Sequence, residues 1–378
     1  MKAVIAMDSF KGSLSSSEAG EAAADGIYRV FPDADITVRP VADGGEGTVQ
    51  ALVSGLDGQL VTAEVSDPIG RRIRAEYGIL PDNTAVIEMA AASGLPLLSA
   101  EERDPMRTTT YGTGELILDA VHRGCRNIII GIGGSATNDG GIGCLQALGF
   151  GMLDSEDRQV GSGAEGLSQL VRITDTDVIP ELRECRFHVA CDVTNPLCGE
   201  NGCSAVFAPQ KGADAEKVRL MDGCLRRYAG IAAKYCPSAS PDTPGAGAAG
   251  GLGFALMYFL NASPEPGAGL IIRETGLEEA IRDADIVVTG EGCLDSQTAM
   301  GKAPAVIAAA AKKYGKPVLA FSGAVRNGAE LCNRHGIDAF FPILRRVCTP
   351  EEAMDKENAR RSLADTAEQV FRMIKLLK

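Results

Sequence analysis

The sequence predicts an α/β fold: a Rossmann-like open parallel sheet domain, with a second α/β domain of mixed sheet inserted into it. Three observations carry this. Short apolar runs repeatedly end in Gly, Asp or Ser and lead into a helix-like pattern, which is the repeat of a parallel sheet. The stretch after residue 58 alternates instead, as antiparallel strands do. Glycine is in excess, 45 of 378 residues, where average usage would give about 26, and it gathers in the loops that follow the apolar runs. An ordered chain places such glycine where the backbone turns sharply or approaches something closely.

The elements follow in order. Residues 3–7 form a first strand that leads into Asp8-Ser9-Phe10-Lys11-Gly12-Ser13 and an amphipathic helix over 17–30. Residues 15–17 supply hydroxyl N-caps, and Glu18 lies near the positive end of that helix. A strand over 36–41 leads into Asp43-Gly44-Gly45-Glu46-Gly47-Thr48 and a helix over 48–54. Residues 59–65, 72–79 and 85–89 read as antiparallel strands, with turns at Asp67-Pro68-Ile69-Gly70 and Pro81-Asp82-Asn83. A helix over 112–123 and a strand over 127–132 lead into a long Gly-rich loop. Residues 187–190 and 204–207 are further strand candidates. Residues 241–253 are the densest low-complexity stretch, followed by an ordered helix start over 254–260. A strand over 285–289 ends at Gly290-Glu291-Gly292, with a helix over 303–314. Strands over 317–321 and 339–343 and a charged amphipathic helix over 350–378 complete the chain. Residues 1–57 plus 281–378 are therefore expected to form the Rossmann-like domain and 58–280 the inserted one. The stretch 112–150, which matches the parallel pattern, is assignable to either.

The formal net charge of −13 disfavours nucleic acid and anionic membrane as partners. The eleven cysteines include no CxxC, so a zinc site is not expected, and Cys144, Cys191 and Cys293 suit small buried residues in a reducing cytoplasm. The apolar run before Asp8 is too short for a signal peptide, and no apolar run approaches a membrane span. A cytoplasmic protein is expected.

In an open parallel sheet, ligands bind at the carboxyl ends of the strands, and the Gly-rich loops all fall there. The first loop combines a carboxylate, hydroxyls and Lys11, which suits an anion or equally a capped helix with a solvated lysine. Three glycines in four positions at Gly44, Gly45 and Gly47, flanked by Asp43 and Glu46, suit a wrapped anion, Mg²⁺ or a proton acceptor. The loop 131–141, with Gly133, Gly134, Ser135, Thr137, Asn138 and Asp139, has what a phosphate cradle requires. It is neither a G-x-x-x-x-G-K-S/T loop nor a strict GxGxxG. Asp192 ends a strand, and Lys211 in Pro209-Gln210-Lys211-Gly212 is a candidate clamp for phosphate or carboxylate. Glu291, Asp295 and Lys302 make a compact polar set with Gln297. His122, His188 and His335 all lie outside the Gly-rich loops, and G-x-S-x-G fails at Thr137, which disfavours a Ser-His-Asp hydrolase.

Taken in order, these loops resemble the glycerate kinase family. The matching stretches are DSFKGSLSS at 8–16, ADGGEGT at 42–48, DPIGR at 67–71, ASGL at 92–95 and YGTGE at 111–115. They continue with GIGGSATNDGG at 131–141, CDVTNPL at 191–197, PQKGA at 209–213, GAAGGLG at 247–253, and GEGCLDSQ at 290–297 with GKAP at 301–304. One departure is Gly202-Cys203-Ser204 in place of Gly-Ala-Ser. The resemblance implies ATP- and Mg²⁺-dependent phosphorylation of D-glycerate, with 2-phosphoglycerate the favoured product, in a cleft of a two-domain α/β protein. On that basis Asp192 is the expected base, Asp43 and Asp295 the metal carboxylates, and Lys11 a catalytic charge partner. Ser9, Arg71, Lys211 and the loop residues from Gly133 to Asp139 are the expected substrate or phosphate ligands. Gly44, Gly45, Glu46, Glu291, Asp295, Gln297 and Lys302 are the expected nucleotide ligands. A homodimer is compatible with this reading. A kinase of another small hydroxy acid, or a nucleotide-dependent oxidoreductase, are the alternatives; a non-catalytic sugar-acid binding protein would not need so many carboxylates beside the glycines.

Overall fold

The structure, a computed structural model, describes residues 1–42 and 44–377. The strands in chain order are β1 (Lys2–Met7), β2 (Asp35–Val38), β3 (Gln59–Ser66), β4 (Arg72–Ile79), β5 (Thr84–Glu88), β6 (Asn127–Gly131) and β7 (Gly151–Leu153). They continue as β8 (Arg172–Thr174), β9 (Arg186–Ala190), β10 (Ser263–Glu265), β11 (Ile286–Leu294), β12 (Val318–Val325) and β13 (Ala339–Pro342). The chain divides into two units: Met1–Asp43, Gln50–Asp57 and Ala268–Lys378 in the first, Gly44–Val49 and Gly58–Gly267 in the second.

The first unit is built on a five-stranded sheet of order β13-β12-β11-β1-β2, parallel throughout. Its central strands are apolar on both faces, as a sheet covered by helices requires. The helix Ser16–Tyr28 starts on a capping box: Ser15 Oγ accepts the Glu18 N–H, and the Glu18 carboxylate accepts the Ser15 N–H at 3.0 Å. It packs beside the C-terminal helix Lys356–Leu377, where a Cβ on Gly26 would lie 2.1 Å from the Ala364 carbonyl oxygen, so only glycine permits the approach. Ile5, Ile27, Val288, Phe321, Leu363 and Phe371 form the core between sheet and helices.

The second unit carries a six-stranded mixed sheet of order β10-β9-β6-β5-β4-β3. Strands β10 to β5 are parallel, and β5-β4-β3 is an antiparallel meander. A separate antiparallel pair joins β7 and β8. The expected antiparallel strands are present, and β6 with its preceding helix Tyr111–His122 belongs to this second sheet. The stretch 112–150 therefore sits with the second unit.

Three expectations need correction. Residues 204–207 are not a strand but part of the helix Cys203–Phe207; so short an apolar run has no period that separates the two. The strand expected over 285–289 runs on through Gly290-Glu291-Gly292 to Leu294, because β12 pairs with it along that whole length. A Cβ at Gly290 would lie 2.1 Å from the Phe321 carbonyl oxygen, so this glycine serves close packing inside a sheet rather than a turn. The tail is two helices, Pro350–Met354 and Lys356–Leu377, with Asp355 between them.

Candidate active site

At the carboxyl ends of the parallel strands the first unit opens a cavity of about 610 Å³. The loop after β1 forms one wall. The Asp8 N–H donates to the Gly290 carbonyl at 2.9 Å, and the Ser9 N–H donates to Asp8 Oδ1 at 2.7 Å. Phe10 and Leu14 bridge each other, and Gly12, at φ +79°, makes the turn that leaves Lys11 exposed. Asp8, Lys11, Glu291, Asp295, Lys302 and Arg326 supply charge to the lining, while Phe10, Ile343, Leu344, Pro350 and Met354 supply an apolar side.

Glu291 projects from the extended end of β11 and is 6% exposed. Its Oε1 accepts the Thr298 hydroxyl at 2.5 Å, and its Oε2 lies 3.8 Å from Lys302 Nζ. Asp295 Oδ1 accepts the N–H groups of Gln297 (2.9 Å) and Thr298 (3.3 Å), which folds the segment after β11 back over the strand end. Gln297 is exposed. The sequence-predicted Lys11, Glu291, Asp295 and Lys302 are thus brought to one cavity, with Ser9 next to it on the β1 loop. Arg326 was not anticipated, although it directly follows the apolar strand β12, the position used to pick out the other residues.

The second unit gathers the remaining candidates. Loop 131–141 leaves the end of β6, and Gly44 and Gly45 lie directly against it. A Cβ on Gly131 would sit 2.3 Å from the Gly44 carbonyl oxygen, and one on Gly133 would sit 3.1 Å from Gly45 Cα. Gly133 and Gly134 are exposed, with Gly134 at φ +73°. Among the described residues, the N–H groups of Gly133 and Gly134 have no hydrogen-bond partner. Exposed consecutive N–H groups of this kind can accept an anion.

The rest of the loop is fixed from behind. Asp139 is fully buried, and its carboxylate accepts the Thr110 N–H (2.8 Å), the Thr110 hydroxyl (2.9 Å), and the N–H groups of Gly141 (3.0 Å) and Gly143 (3.3 Å). Burial raises its pKa, and those hydrogen bonds act in the opposite sense. Asn138 Nδ2 donates to Ser204 Oγ at 2.8 Å. Lys211 Nζ donates to Ser135 Oγ and to the Thr137 carbonyl, both at 2.7 Å, and the residue is only 2% exposed. The low-complexity segment 245–251 is part of the same support. Ala249, Gly250 and Gly251 take positive φ, the Gly140 N–H donates to the Gly250 carbonyl, and a Cβ on Gly250 would lie 2.0 Å from the Thr137 carbonyl oxygen.

Asp192 follows β9, is exposed, and accepts the Gly267 N–H on Oδ1 at 3.0 Å. Glu46 is exposed, whereas Glu88, at the end of β5, accepts the Val49 N–H at 2.8 Å and has its pKa raised by burial. Glu88 was not anticipated; it carries the same signal as Asp192, a carboxylate closing an apolar strand. Arg71 is engaged elsewhere, with Nε 2.5 Å from Asp67 Oδ2 and Nη1 2.8 Å from Glu102 Oε1. The structure thus divides the expected nucleotide ligands: Gly44, Gly45 and Glu46 belong to the second unit, the others to the first. Asp43 lies outside the described residues.

Among the described residues, no group of three or more His, Cys, Asp or Glu side chains could hold a metal ion. Mg²⁺ asks for less, commonly one or two carboxylates completed by water and substrate phosphates. Asp295 fits that demand: a hard oxygen donor on the cavity wall whose described hydrogen bonds use only Oδ1. Among the described residues, no helix is long and apolar enough to cross a membrane.

A family model described as the Glycerate kinase family matches residues 3–375. A "Glycerate kinase" from Haemophilus influenzae is 46% identical over 375 residues, 99% of each chain. A "Glycerate 2-kinase" from Escherichia coli K12 is 49% identical over 354 residues, 93% of each chain. A solved structure from Salmonella typhimurium LT2 that carries the glycerate kinase 2 name superposes with a TM-score of 0.92 at 45% identity, covering 100% of this chain and 98% of that one. The chain belongs to the glycerate kinase family, a family of ATP-dependent kinases.

Proposed function

We propose that this protein transfers the γ-phosphoryl group of ATP to a hydroxyl of D-glycerate, with 2-phosphoglycerate as product. The observation that carries the reading is the first unit's cavity, where an apolar side faces Lys11, Lys302, Glu291 and Asp295. An adenine can lie against the apolar side while the lysines neutralise phosphate oxygens, and the volume suits a nucleotide-sized ligand. The 2-position is supported by the Escherichia coli relative's name.

Phosphoryl transfer asks a protein for position, charge neutralisation and a proton acceptor. Lys11 and Lys302 serve the triphosphate. Asp295, together with Asp43, would hold Mg²⁺, which would supply charge neutralisation for the phosphates. The N–H groups of Gly133 and Gly134 take the glycerate carboxylate. Arg71 could take it only by leaving Asp67 and Glu102, so the N–H groups are the better ligands. Asp192 accepts the hydroxyl proton as the glycerate oxygen bonds to the γ-phosphorus and the bond to the β-phosphate oxygen breaks, releasing ADP. Eleven free cysteines support a reducing, cytoplasmic setting.

An ADP-release assay with D-glycerate, followed by ³¹P NMR of the product, tests the proposal. Stoichiometric ADP and a 2-phosphate resonance are expected. A 3-phosphate resonance would overturn the product assignment. Turnover only with another hydroxy acid would change the substrate, and no ADP with any of them would remove the kinase reading.

A further inference from the structure

Lys211 was expected as a clamp that touches substrate, and the structure gives it a different setting. Its ammonium has no carboxylate partner: both acceptors, Ser135 Oγ and the Thr137 carbonyl, are neutral. A buried lysine ordinarily sits beside a counter-ion, because an unpaired charge in the interior is costly. Both acceptors belong to the short loop that carries the exposed N–H groups of Gly133 and Gly134. Two of its three protons are committed to holding that loop. Asp139 acts on this ammonium only through space, and an anion on the outer face of the loop would add counter-charge.

We propose that Lys211 is a positioning residue for the anion loop, and that binding of the glycerate carboxylate there is coupled to retention of the Lys211 proton. This rests on the reading of loop 131–141 as the glycerate site. The coupling has a definite sign. Burial lowers the free protein's Lys211 to about 8. A bound anion favours the charged form and so raises that value. Affinity for glycerate is therefore full below about pH 8 and declines as the pH rises further, by up to tenfold per unit while the bound form stays protonated.

The titratable groups that face Lys211 are Asp139, on the loop itself, and Cys203, on the helix Cys203–Phe207. Both raise its pKa against burial. Burial pushes the Cys203 thiol up to about 12, beyond the range concerned. Tyr228, packed toward Asp139, is also raised well out of range by burial. Asp139, raised by its own burial, is the one neighbour whose titration could imitate the effect.

The test is the KM for D-glycerate at saturating ATP from pH 7 to 9.5, for the full chain and for Lys211→Met and Lys211→Arg, with ³¹P NMR to verify turnover. In the unsubstituted protein KM should rise about tenfold or more across this range, with kcat changing less than threefold. Calorimetry of D-glycerate binding at pH 8.5, in two buffers of different ionisation enthalpy, should show proton uptake. Lys211→Met should raise KM about tenfold at pH 7 and flatten the profile; Lys211→Arg should move the rise above pH 9.5. A flat profile without proton uptake in the unsubstituted protein overturns the proposal even if both variants misfold. A slope that survives in Lys211→Met also overturns it and assigns the titration to Asp139. Absence of any turnover with D-glycerate would instead be failure of the proposed function.

Discussion

The two units present their polar groups in opposite ways. In the first, charge is carried by side chains on the cavity wall: Lys11 exposed on a turn at Gly12, Lys302 opposite Glu291, and Arg326 beyond β12. In the second, the exposed donors of the loop after β6 are the backbone N–H groups of Gly133 and Gly134. The side chains that shape them, Asp139 and Lys211, are buried behind. Exposed long side chains can follow a flexible polyphosphate. A loop fixed by a buried carboxylate, a buried ammonium and a packed glycine segment offers one geometry, which suits a small rigid anion.

That difference can be broken at particular residues. The largest effect is expected at Asp192→Asn. The amide keeps an oxygen for the Gly267 N–H but cannot take the hydroxyl proton, and kcat should fall by about a hundredfold or more. A kcat within threefold of the original would remove Asp192 as base. Lys11→Met comes next, with a loss in kcat/KM of roughly a hundredfold, in the range seen when one charge-stabilising donor is removed. A loss under about threefold would mean that Lys11 is only a solvated turn residue.

Gly250→Ala should have the smallest catalytic effect and a clear structural one. Its φ of +66° and a Cβ 2.0 Å from the Thr137 carbonyl oxygen both oppose a side chain. A loss of about 2 kcal/mol in thermal or denaturant unfolding is expected, with KM for glycerate rising more than KM for ATP. Unchanged stability would show that segment 245–251 does not support the loop. Gly301→Ala is the control from the first unit: its φ is +116°, but nothing lies within 4 Å of an added Cβ. It should therefore cost less.

The sequence made the first unit's site more legible than the second's. Charged residues in the loop after an apolar strand can be read directly, as Lys11, Asp295 and Lys302 were. Arg326 holds such a position too and was passed over, and Glu88, which closes β5 and is partly buried, was missed where no glycine-rich loop follows the strand. The roles within the second unit are harder to read because they depend on burial. PQKGA looks like a solvated turn until its lysine is found beneath the loop, and GAGAAGGLG resembles a linker until its positive φ values pack it against Thr137 and Gly140. Glycine excess marked both kinds of place alike. At Gly290 it marked a strand, since a glycine needed for sheet packing and one needed for a turn are the same letter. The strand at 204–207 failed for the related reason that a four-residue run with three apolar residues carries no period.

In the proposed function the two anions are held by different devices, the nucleotide by the first unit's side chains and the glycerate by the second unit's loop. Separate calorimetric titrations of Lys11→Met with ADP and with D-glycerate test it most directly. ADP binding should weaken at least tenfold while the Kd for D-glycerate stays within twofold of the unsubstituted protein. Equal weakening of both, or loss of D-glycerate binding alone, would contradict it.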